Sequence, residues 1–280
     1  MKEQAFPAPA RDRRRPATGC GRLARLGLAA AALVLLAGLA ARPAAAGSAA
    51  EAAGEALARA YPGWFAVAGD RLVWNDGEAM ALDDGVADKD PAALLESPDL
   101  EDQLRMPYPA GRDYPAPGAG QDPGRVRFLP FFTKMYGGTE QEVRKRLATV
   151  RWLPSSADIP LQVTTVNGVD RRLREVSAAL EKLPPALLAC ARKRVSAFGW
   201  RRIARTGRLS MHSLGIAVDL DPRCADYWQW SAGRNGTAAS RNRIPPEIVE
   251  IFEQHGFIWG GKWSHYDTMH FEYRPELLPR

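Results

Sequence analysis

The chain places an aspartate inside an apolar run. Residues 216–220 read Ile-Ala-Val-Asp-Leu, entered through Gly215. Such a run reads as a buried strand. An ionised carboxylate within it is costly to bury unless a partner offsets its charge, and a metal ion does so directly. Any fold of this chain must therefore bring a compensating group to Asp219. Histidines are few: His212, His255, His265 and His270. His212 lies in Ser-Met-His-Ser-Leu-Gly-Ile-Ala-Val-Asp-Leu-Asp (210–221), and His270 in His-Tyr-Asp-Thr-Met-His-Phe-Glu-Tyr (265–273).

A catalytic zinc takes three protein ligands and keeps one position open. His212, on a loop entering the strand, and Asp219 can supply two ligands. His270, on a second strand, can supply the third. Asp267, three residues earlier, can then act on water beside the metal without ligating it. Each residue also has a plainer role open to it. A histidine near an aspartate is commonly structural. His255 closes a helix and suits its C-terminal dipole. His265 is either structural or a substrate contact. Trp259, Trp263 and Tyr266 are either core or cleft wall. The stretch 192–208 holds Arg192, Lys193, Arg194, Arg201, Arg202, Arg205 and Arg208 and no acid. It is either a solvated face or a positive rim for substrate carboxylates.

The net charge of +6 belongs to the first segment. Eight of the 38 basic and two of the 32 acidic residues lie in residues 1–46, so the remainder carries thirty of each. That balance gives no support to nucleic-acid binding. Residues 1–46 have the three parts of a secretory leader: a basic region to Arg25, an uncharged apolar run over 26–40, and Ala44-Ala45-Ala46 before Gly47. The apolar run is short for a membrane span, so cleavage is expected; if it stays uncleaved, residues 26–40 would be the only membrane contact. Export implies an oxidising compartment. Cys190 and Cys224 remain after cleavage, as a disulfide or as two separate thiols.

Residues 64–74 read as a hairpin around Gly69-Asp70. Residues 75–125 are rich in Asp, Pro and Gly and read as an irregular wrap. Thr139 with Glu142 forms a capping box for a helix to about Val150. Residues 161–166 read as a strand, 169–183 as an amphipathic helix, and 186–196 as a second helix. Pro245-Pro246 opens a helix to about His255, and 257–263 and 269–273 are strand-like. The expected fold is α+β, with a small antiparallel sheet, helices on one face and the metal site at the sheet. The expected organisation is leader 1–46, lead-in hairpin and Pro/Gly-rich segment 47–121, and catalytic domain 122–280.

At these residues the chain resembles the D-alanyl-D-alanine carboxypeptidase group of zinc peptidases, which includes the vancomycin-resistance dipeptidase and carboxypeptidase and phage L-alanyl-D-glutamate endolysins. Ser-Met-His-Ser-Leu-Gly-Ile-Ala-Val-Asp is similar to the group's first signature, and Asp-Thr-Met-His (267–270) to its second. The resemblance covers about Asp122 to Arg280. It implies one Zn²⁺ held by His212, Asp219 and His270, Asp267 as general base, and a hedgehog-like metallopeptidase fold. It also implies an arginine ahead of the first motif that binds substrate and polarises the scissile carbonyl. Arg201 matches by spacing, with Arg202 adjacent, and Ser210 would orient the His212 loop. The implied activity is hydrolysis of peptidoglycan stem peptides, foremost as a D-alanyl-D-alanine carboxypeptidase, by an exported monomer of the periplasm or cell envelope. The alternatives are an L-alanyl-D-glutamate endopeptidase, a non-catalytic zinc-stabilised cell-wall binding protein, and a chain acting from the membrane surface.

Overall fold

The structure is a computed structural model that describes residues 44–204, 206–231 and 241–279. The expected leader lies outside the described residues except for Ala44–Ala46, and Arg205 lies outside them as well. No helix among the described residues is long and apolar enough to cross a membrane.

Helix α1 (Ala44–Ala60) is alanine-rich, a composition with the lowest helix-forming cost. It buries Ala50, Ala53, Leu57 and Ala60 on one stripe. Strands β1 (Phe65–Ala68), β2 (Arg71–Trp74) and β3 (Ala79–Ala81) form an antiparallel sheet. Phe65 opposes Trp74 in it, and Gly69 takes positive φ at the turn.

Residues 75–125, expected to be irregular, contain β3 and two short helices. Asp90 caps α2 (Pro91–Glu96), and Asp99 caps α3 (Leu100–Leu104) in a reciprocal box with Asp102. The aspartates that suggested loops are thus helix starts. The segment is also tied inward. Tyr108 donates from its hydroxyl to Glu253 at 2.6 Å, and the buried Lys262 ammonium reaches Glu253 at 2.6 Å and the Pro109 and Gly111 carbonyls.

Helix α4 (Leu129–Tyr136) buries Phe131, Phe132, Met135 and Tyr136. The Thr139–Glu142 capping box forms, but helix α5 (Glu140–Arg144) stops well short of Val150. Leu147–Trp152 is instead strand β4, paired antiparallel in full register with β5 (Ile159–Thr164). Thr149, Val150 and Trp152 favour the pleat over the helix. Asn167 and Gly168 take positive φ before helix α6 (Val169–Leu180), which buries Val169, Leu173, Val176 and Leu180.

The expected helix over 186–196 is absent. Leu187–Cys190 makes a single 3-10 turn, and Cys190 is bonded to Cys224. Ser196 then exchanges backbone hydrogen bonds with Asp219. The disulfide and this pairing hold the segment more strongly than its helical pattern does. A Cys224→Ser variant is expected to lose roughly 3–4 kcal/mol of stability for a loop of this size, read from denaturant unfolding as a lower midpoint.

Strand β6 (Ala217–Asp219) follows, then helix α7 (Trp228–Ser231), helix α8 (Pro246–Gln254) and strands β7 (Phe257–Trp259) and β8 (His270–Tyr273). The last sheet has the order β6-β8-β7, all antiparallel. The fold is α+β as expected, with its antiparallel pairing divided over three small sheets. One apolar core joins Leu57, Tyr61 and Leu72 to Trp152, Leu173, Val218 and Phe271, so residues 50–121 share their interior with the rest of the described chain.

Candidate metal centre and active site

The register of β6 on β8 sets Asp219 directly opposite His270. His212 enters from a 3-10 turn, Met211–Leu214, whose N-cap is Ser210. The Ser210 hydroxyl accepts from the His212 amide at 3.4 Å. The turn ends at Gly215, with φ +69°, where a Cβ would lie 2.9 Å from the Thr164 nitrogen. Only glycine fits both the dihedral and the space.

His212, Asp219 and His270 each present a ligand atom, and these atoms all lie within 4.8 Å of one another. His212 Nε2 stands 3.1 Å from Asp219 Oδ1, and His270 Nδ1 stands 3.0 Å from the same oxygen. The far nitrogens are both engaged. His212 Nδ1 meets the Ala197 carbonyl at 2.6 Å, and His270 Nε2 meets Glu272 Oε2 at 3.2 Å. Those contacts fix each ring so that its free nitrogen faces Asp219. His212 Nε2 is buried without an aligned hydrogen bond. Two imidazoles and a carboxylate, with an orphaned nitrogen aimed at their midst, fit a divalent ion such as zinc.

The electrostatics of the cluster are set by burial and by the close pairing of its members. Burial disfavours the Asp219 charge, but His212 and His270 outweigh it and hold the carboxyl far below the ordinary carboxylate range. Burial likewise opposes a charged His270, yet hydrogen bonds from its ring to Asp219 and Glu272 raise it to about 9.

Asp267 sits on the loop before β8. Its amide donates to the Gly260 carbonyl at 3.0 Å, and its carbonyl accepts from the His270 amide at 3.2 Å. Its Oδ1 is buried with no hydrogen-bond partner. Burial pushes this carboxyl up to about 6; His270 pulls against the rise, and the neighbouring Asp219 charge adds to it. A carboxyl tuned toward neutrality beside the cluster suits proton transfer.

Arg201 and Arg202 diverge. Arg201 Nη2 lies 4.0 Å from Asp219 Oδ2, and its side chain is half exposed. Its backbone is tethered to the buried Ser213, whose hydroxyl accepts from the Arg201 amide at 2.8 Å and contacts the Arg201 carbonyl at 2.8 Å. Arg202 turns back instead and donates to the Gly207 carbonyl at 2.7 Å. The structure thus brings Arg201 to the cluster and does not bring Arg202. His255 lies by Glu175 at 3.3 Å, and His265 by Asp122 at 2.6 Å. Trp259 and Trp263 are buried.

Sequence reasoning passed over Glu272. It follows His270 by two residues, so both face one side of β8, and it is fully buried. Burial disfavours its charge, but Arg127, His270 and Arg274 hold it well below the ordinary range. The signal that singled out Asp219, an acid in an apolar strand, was present here too. A Glu272→Gln variant is expected to bind metal about 10–100-fold more weakly, measured by competition with a chromophoric chelator. Nothing in the sequence marked the Ala197 carbonyl, which is a backbone group.

Residues 204–273 match the family model described as D-alanyl-D-alanine carboxypeptidase, a narrower span than the expected 122–280. No curated protein and no solved structure matches the chain. The matched segment, a quarter of the chain, holds His212, Asp219, Asp267 and His270, and over that segment the chain is similar to the D-alanyl-D-alanine carboxypeptidase family.

Proposed function

We propose that this protein is an exported zinc peptidase that trims peptidoglycan stem peptides, acting as a D-alanyl-D-alanine carboxypeptidase. The observation that carries the reading is the convergence of His212, Asp219 and His270 from three separated positions onto one small volume. A zinc ion held there supplies a Lewis acid for the scissile carbonyl and acidifies water near neutral pH.

The chain's own groups do the rest. Asp267 takes a proton from the attacking water at a carboxyl oxygen. Arg201 donates to the carbonyl oxygen as negative charge grows on it. The carbon–oxygen bond forms, the carbon–nitrogen bond breaks, and Asp267 returns its proton to the departing amine. Ala197 and Glu272 keep the two imidazoles oriented throughout. The Cys190–Cys224 disulfide supports an oxidising compartment, as export to the periplasm or cell envelope would provide.

The test is digestion of purified muropeptides followed by mass spectrometry. Loss of one terminal D-alanine from pentapeptide stems is expected, abolished by a chelator and restored by zinc. Cleavage between L-alanine and D-glutamate would reassign the scissile bond. No cleavage by zinc-loaded, folded protein would leave a binding role in place of catalysis.

A further inference from the structure

Arg125 stands outside the segment that matches the family, yet it lies over a ring that neighbours the site. Its Cζ lies 5.8 Å from the centre of the Trp263 ring, and that ring lies 5.7 Å from His270. Arg127 flanks the same ring at 5.9 Å, but its fork is taken up by Glu272. Arg125 is not taken up. Its hydrogen bonds among the described residues are two long ones from a single nitrogen, Nη1, to Asp122 Oδ2 at 3.5 Å and to the His265 carbonyl at 3.4 Å. Asp122 is largely committed elsewhere, accepting from the His265 amide at 2.8 Å and meeting its Nδ1 at 2.6 Å.

A guanidinium carries five donors. One that is mostly buried, with a side chain 22% exposed, gains from a second anion on its open edge. Burial disfavours the Arg125 charge; Asp122 offsets part of that penalty, and Arg127 adds to it. The field of Arg125 also reaches Asp267. The two arginines of the site therefore have different neighbours: Arg201 is beside Asp219, and Arg125 is on the side of Asp267 and Trp263.

We infer that Arg125 is a specificity-determining residue that binds the terminal carboxylate of the departing residue, which makes the enzyme an exopeptidase. The inference rests on the peptidase reading, in which Asp267 protonates the departing amine. A carboxylate held by Arg125 would belong to the residue carrying that amine. The substrate class is a peptide with a free C-terminal carboxylate.

The test compares N-acetyl-D-alanyl-D-alanine with its C-terminal amide. Wild type is expected to prefer the free acid in kcat/KM. Arg125→Ala should shrink that preference about 10–100-fold, mostly through KM, as loss of a charge-assisted contact implies. Arg125→Lys should fall between, keeping the charge but losing the fork. An unchanged acid-to-amide ratio in both variants, with zinc content intact, overturns the inference. Calorimetry with the free acid and zinc-free protein separates this from failure of the peptidase reading. If wild type cleaves neither peptide, the D-alanyl-D-alanine carboxypeptidase reading falls. The Arg125 site then requires that wild type bind the acid and that Arg125→Ala bind it at least about 10-fold more weakly; equal binding, or none, overturns it.

Discussion

Replacing Asp267 with asparagine is expected to lower kcat by about 10²–10⁴-fold, the usual contribution of a positioned general base, with metal content unchanged. Asparagine keeps the size of the side chain and removes the proton acceptor. The buried Oδ1 has no protein partner, so the change breaks no hydrogen bond at that atom. A fall of this size with metal retained separates proton transfer from ligation. The pH profile gives an independent check. Asp267 must be deprotonated to act, and burial pushes its carboxyl up to about 6 in the ion-free protein. Activity should thus be present above that pH and fall as pH drops through it. A bound cation favours the carboxylate and moves this limb to lower pH. In the asparagine variant the limb should vanish from the residual activity. A variant that keeps wild-type turnover would remove Asp267 from the mechanism.

The second large effect is expected at Asp219. Its Oδ1 is the point where both imidazoles meet, at 3.1 and 3.0 Å. Asp219→Ala should weaken metal binding by well over about 100-fold, more than loss of a supporting contact costs, and abolish turnover. It also leaves His270 without one of the carboxylates that favour its protonated form. Metal analysis after gel filtration reads the first effect, and muropeptide digestion the second. The backbone of Asp219 is bonded to Ser196 and paired with β8, so the strand should persist. Full metal occupancy in this variant would disprove the ligand assignment.

What the sequence made legible was local. The hairpin at Gly69, the helix opened by Val169 and the helix at Pro246 follow from turn chemistry and periodicity. The candidate ligand trio stood out because an acid in an apolar strand needs a partner. The misreadings share a cause: tertiary pairing overrode local pattern. Val150 left its helix for a strand paired with β5, and residues beyond Cys190 paired with β6. Arg125 carried no sign of its place, because Asp122, Trp263 and His265, which position it, are up to 140 residues away along the chain. Arg201 and Arg202 are adjacent in sequence, and only the backbone bridge between Arg202 and Leu209 separates their directions.

The buried polar chain behind His270 has a bearing on where this protein can be cut. Glu272 contacts Arg274, Arg274 donates to Glu276 at 2.5 Å, and Glu276 accepts from the Tyr61 hydroxyl at 2.7 Å and from Gln103 at 3.3 Å. Just past the family-matching segment, Arg274 and Glu276 therefore tie its last strand to Tyr61, which follows the first helix, and to Gln103 of α3. A fragment trimmed to that segment would leave the buried Glu272 without Arg127 and Arg274, at several kcal/mol for an unpaired buried ion. Shortened expression fragments should aggregate or lose their fold, and the smallest stable catalytic unit should begin near α1.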